Sequence, residues 1–159
     1  MAEQHCPYPI EALLPHARPM ILLDCVLAFD PTFLEAELTV RPDMPFFEQG
    51  RGVGAHIALE WMAQACAAYV GLEALLANER VRVGFLLGTR NFAAKVDRFA
   101  AGETLRVSAA LVFRDGETGV FDCAVRHDAL EVVRAQLTLH QPRDLHAVLA
   151  SQGIEFDQS

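Results

Sequence analysis

The chain of 159 residues is one domain's worth of polypeptide, long enough to bury a core without disulfide or metal staples. With 52% hydrophobic and 21% charged residues it reads as a compact globular protein and not as a disordered one. A net charge of −8, with Lys95 as the single lysine, argues against nucleic acid as a partner, because phosphate neutralisation needs clustered Lys and Arg.

The four cysteines, Cys6, Cys25, Cys66 and Cys123, are far apart and show no CxxC or Cys/His pairing, so neither a zinc site nor a disulfide framework is expected. The N-terminus has no basic segment followed by an apolar one, so no secretory signal is visible and a cytoplasmic protein is expected. The longest apolar run is interrupted by His56, Glu60 and Gln64, which counts against a membrane span. No nucleophile elbow, phosphate loop or dinucleotide fingerprint is present, and no cofactor or metal is expected. Arg80, Arg82, Arg90, Lys95 and Arg98 are the best candidates for a local patch that could meet an acidic partner.

Taken in order, Pro7, Pro9, Pro15 and Pro19 make the start a loop, with one helical turn at residues 10–14. Residues 20–30 read as a strand, and Asp30-Pro31 as a turn. Residues 33–40 alternate apolar and polar with period two, the pattern of a half-buried strand, and residues 41–51 read as loop. Residues 52–71, GVGAHIALEWMAQACAAYVG, are nearly all apolar and predict a long helix ending near Asn78. A strand follows at residues 81–87, stopped by Gly88. Three more are expected at 103–113, 120–127 and 131–140, with hairpin turns at Asp115-Gly116 and at 127–129. Asp144 could N-cap a short terminal helix through Leu149. The plan is α+β: a curved antiparallel β-sheet wrapped around one long central helix, within a single domain over 1–159 whose core is about 13–142.

One carboxylate, Glu60, stands in the middle of that helix between Leu59 and Trp61. A helix apolar all round is a buried helix, so Glu60 is expected to be buried and its pKa raised, as in a general acid or base. A purely structural hydrogen-bond network around a buried Glu is the other reading.

Two segments carry a family resemblance. LLPHARPMILLDCV (13–26) and GAHIALEWMAQ (54–64) resemble the opening and the helix start of the hotdog-fold 3-hydroxyacyl-[acyl-carrier-protein] dehydratases. FAAKVDRFAAGETLRV (92–107) is a weaker third match. PMILLD, PFFEQGRGV, IALEWMAQ and RVGFLLGTRNF look like the divergent branch associated with aryl polyene biosynthesis. The resemblance implies a cytosolic dimeric enzyme, homomeric or heteromeric or of higher order. It would take water from a 3-hydroxyacyl thioester carried by acyl-ACP.

What the resemblance implies for the site is a His–acid pair with backbone amides for the thioester oxygen. Glu60 falls on the acidic position. The oxygen contact falls near Ala55 and His56, at the helix start, and Gln64 could orient Glu60 or bond a neighbouring loop. The family's His-Phe-Pro histidine is missing, since none lies between His16 and His56. Its place could be taken by His16, by His56 one turn before Glu60, or by Asp43 or Glu48 of an opposite subunit. A hotdog thioesterase and a non-catalytic subunit of a heteromeric dehydratase remain as alternative functions.

Overall fold

The computed structural model describes residues 5–142 and Gly153. One turn of helix, α1 (Ile10–Leu13), precedes strands β1 (Cys25–Asp30) and β2 (Phe33–Thr39). Two short strands, β3 (Phe47–Glu48) and β4 (Gly52–Gly54), lead through a 3₁₀ turn (Ala55–Ile57) into the long helix α2 (Ala58–Leu76). Then come β5 (Phe85–Ala94), β6 (Arg98–Phe99), β7 (Thr104–Asp115), β8 (Thr118–His127) and β9 (Leu130–His140). Six strands form one antiparallel sheet in the order β1-β2-β7-β8-β9-β5, and β3-β4-β6 form a small second sheet. The expected terminal helix from Asp144 lies outside the described residues.

Helix α2, at 19 residues about 28 Å long, lies across the large sheet. Trp61, Met62, Ala65, Cys66, Ala68 and Leu72 are buried there. Trp61 packs on Phe99 and Tyr69 on Phe121, with ring centroids 5.1 and 5.5 Å apart. Cys66 and Cys123 touch across the same interface; burial pushes the Cys66 thiol well up, so it serves as neutral packing. The wrap leaves one side of α2 open. Glu60, Ala63, Ala67, Val70 and Glu73 form that uncovered stripe.

Several boundaries differ from expectation, among them the Asp115-Gly116 turn, which falls on Gly116-Glu117 because Asp115 pairs with Thr118. Residues 20–24 are not strand: Ile21, Leu22 and Leu23 are all buried in succession, whereas a one-sided strand would alternate. The apolar run begins as strand β4, not helix, and part of the expected loop is β3. Strand β5 starts four residues late and runs through Gly88, which pairs with Thr138 just after a bulge at Leu87. The hairpin predicted at 127–129 forms on Asp128 and Ala129, both with positive φ (49° and 70°), as a two-residue primed turn requires.

Gly52 fixes where the helix starts. Its φ is +77°, and a Cβ there would lie 2.1 Å from the Phe99 carbonyl oxygen. Gly50 has a similar φ of +74° but open space around it. Gly52→Ala should therefore cost about 2–4 kcal/mol in urea unfolding, against about 1 kcal/mol for Gly50→Ala.

Candidate active site

The site grows from the first two turns of α2. Gln64 is fully buried, and its carboxamide is the anchor. Its Oε1 accepts the Leu22 N–H at 2.9 Å, and its Nε2 donates to the Met20 carbonyl at 2.6 Å. The same Nε2 reaches Glu60 Oε1 at 3.4 Å. One side chain thus ties the segment after Pro19 to the helix and touches the carboxylate one turn earlier.

That tie brings His16 to Glu60. His16 Nε2 lies 3.9 Å from Glu60 Oε1, an ion-pair distance rather than a hydrogen bond. Its other ring nitrogen, Nδ1, is buried with no hydrogen-bond partner. Glu60 is not buried as the apolar run implied: its side chain is 41% exposed, because it stands at the head of the uncovered stripe. The pair opens instead onto a cavity of about 420 Å³. Ala63, Ala67 and Val70 of α2, with Leu86, Phe121 and Leu139 of the sheet, line its apolar stretch. Small side chains on the helix keep the groove open; at its far end stand Glu73 and Arg114, 2.8 Å apart.

The other expected residues are placed differently. Ala55 N–H already donates to the Asp97 carbonyl at 2.9 Å, so it is not available to a ligand oxygen. The next amide, of His56, precedes the first hydrogen bond of the 3₁₀ turn and has no acceptor within it, as at any helix start. The His56 ring folds back over Gly54, where an added Cβ would lie 2.6 Å from it, and makes no ion pair with Glu60, which faces His16. Within the chain Asp43 pairs with Arg41, while Glu48 pairs with Arg51 and Arg98.

Sequence reasoning missed the far end of the groove. The signal was available, since Glu73 continues the stripe of Glu60, Ala63, Ala67 and Val70 at helical spacing. Arg114, on a strand 41 residues away, has no local signal of this kind. Among the described residues no cluster of His, Cys, Asp and Glu could hold a metal ion, and no helix is long and apolar enough to cross a membrane.

Known proteins share this fold. The chain is similar to the dehydratase heterocomplex ApeI:P from Xenorhabdus doucetiae, with 27% identity and a TM-score of 0.85 over 91% of this chain and 97% of that one. The E. coli PaaI protein of the phenylacetic acid degradation operon aligns at 15% identity and TM-score 0.57, covering 74% of this chain and 78% of its own. A hypothetical thioesterase with coenzyme A from Streptococcus pneumoniae TIGR4 aligns at 11% identity and TM-score 0.58, covering 74% and 84%. These last two share the hotdog fold alone. No curated protein matches the chain. The model of the ApeP-like family, described as ApeP dehydratase, matches residues 8–150, and by that match the protein belongs to the ApeP-like dehydratases.

Proposed function

We propose that the enzyme removes water from a 3-hydroxyacyl thioester of polyene-type biosynthesis, giving a trans-2-enoyl thioester, and that His16 and Glu60 divide the proton transfers. The observation that carries this reading is their approach to 3.9 Å at the mouth of an apolar groove. Elimination needs a base at the α-carbon and an acid at the oxygen of the adjacent β-carbon, so the two groups must stand side by side.

In this reading the acyl chain lies in the groove, with its thioester oxygen at the helix start. The His56 amide and the positive end of α2 favour the charge that develops there. His16 Nε2 takes the α-proton, and the C–H electrons move into an enolate. The enolate collapses to the double bond as the β-hydroxyl leaves, taking a proton from the Glu60 carboxyl. Water departs, and the imidazolium returns its proton to the carboxylate beside it. Gln64 aims Glu60 through the 3.4 Å contact.

An acyl carrier protein is the proposed carrier of the substrate, and the proposed assembly is a dimer through β5. Every residue of this ten-residue edge strand is exposed, Phe85, Leu87 and Phe92 among them. A long unprotected edge invites another strand. The similar ApeI:P protein is a heterocomplex, which supports a hetero- as well as a homodimer.

Incubated with a 3-hydroxyacyl carrier protein, the protein should produce a species lighter by one water in the intact-mass spectrum. Release of free acid would indicate a thioesterase instead. Glu60→Gln and His16→Ala should each lower kcat by about 10²–10⁴-fold. Full dehydration by Glu60→Gln would overturn the role given to Glu60; seen only in complex with a second dehydratase chain, it would favour a non-catalytic subunit.

Leu87→Lys, placing a charge on the exposed edge, should raise the dimer Kd by about tenfold or more in sedimentation experiments. An unchanged Kd would move the interface elsewhere.

A further inference from the structure

We infer that Gly71 is a positioning residue for His16, acting from three turns down the helix. This rests on the role given to His16 above. A Cβ at Gly71 would lie 2.0 Å from the Leu13 carbonyl oxygen and 3.0 Å from its carbon. The end of α1 therefore lies directly against the α2 backbone, at a distance that only glycine allows. Leu13 itself is fully buried, so the contact is an anchor and not a loose touch.

From this anchor to His16 the tether is short and stiff. Three steps of chain span at most about 10–11 Å. The helix from Gly71 back to Glu60, eleven residues, covers about 16 Å. The two side chains bridge what the tether leaves, so their meeting depends on where the tether is anchored. Leu14 is extended, at φ −104° and ψ 141°, and Pro15 fixes its own φ. Beyond His16 the chain is fastened again, by Gln64 at Met20 and Leu22. An Arg18–Glu11 ion pair closes the loop back onto α1. His16 thus stands in a short loop held at both ends on one helix, and the helix also carries Glu60. Any outward shift of α1 at Gly71 is transmitted to the imidazole.

A methyl group at position 71 forces such a shift, since the carbonyl it meets is backbone and cannot rotate away. A misplacement of about 1 Å can cost on the order of 10²-fold in rate. The test is a double-mutant cycle on the full chain in its own assembly. Gly71→Ala should lower kcat about 10–100-fold, with KM held within about threefold. In a His16→Ala background the same substitution should change kcat by less than about twofold, because the group it misplaces is gone. Equal losses in the two backgrounds would reduce Gly71 to a structural role and overturn the inference, as would full kcat in the single variant. Should Gly71→Ala not fold, one glycine inserted between Pro15 and His16 lengthens the tether without disturbing Leu13, and the same pattern is expected.

A readout independent of turnover separates this inference from the proposed function. In the proton NMR spectrum Gly71→Ala should move the His16 ring resonances and leave those of His127 and His140 in place. An unmoved His16 signal overturns the inference whatever the protein does to a thioester. A displaced one, in a protein that dehydrates nothing, would sustain the placement and overturn the function.

Discussion

The buried carboxamide of Gln64 is the interaction on which the site depends. It lies within the core, where a backbone amide or carbonyl left unpaired costs about 1–3 kcal/mol. Leu22 N–H is such a group and Met20 C=O a part-buried one, because the chain there is not strand and has no ladder to satisfy it. One side chain supplies both partners in fixed geometry. The segment cannot slide along α2 without breaking a donor and an acceptor together. That constraint turns a proline-broken loop into a support stiff enough to hold an imidazole near a carboxylate.

The same logic explains how far the sequence could be read. Residues 33–40 were legible because burial alternates in β2, where every second residue is buried, while the three strands after Glu103, whose burial alternates only in part, were marked by the turns between them. The run at 52–57 was not, because apolar residues next to two glycines suit a buried strand as well as a helix. Only the close pass of Gly52 by the Phe99 carbonyl, a contact between residues 47 apart, decides for strand. Strand β5 was shifted because an edge strand with no cover has no burial pattern to reveal its ends.

The site was legible in its members more than in its geometry. Glu60, His16 and Gln64 stood out as residue types in motifs, and they meet in space. The expectation that Glu60 is desolvated failed for an instructive reason. Apolar residues on every side of a helix do not ensure that a neighbouring element covers every side. Alanines count as apolar, yet Ala63 and Ala67 are there to leave room. In the uncovered chain the groove is a half-open channel, and a bound acyl chain would supply the missing apolar surface beside Glu60. Ala55 shows the opposite limit, since no sequence pattern foretells that its amide is already taken by Asp97.

The bare edge of β5 has a consequence for the cell that makes this protein. Ten consecutive exposed strand residues, with phenylalanines and leucines among them, form a template open to any extended chain nearby. In the proposed dimer, pairing through β5 would cover this template, so the contact that completes the assembly would also be the one that shields the chain from aggregation.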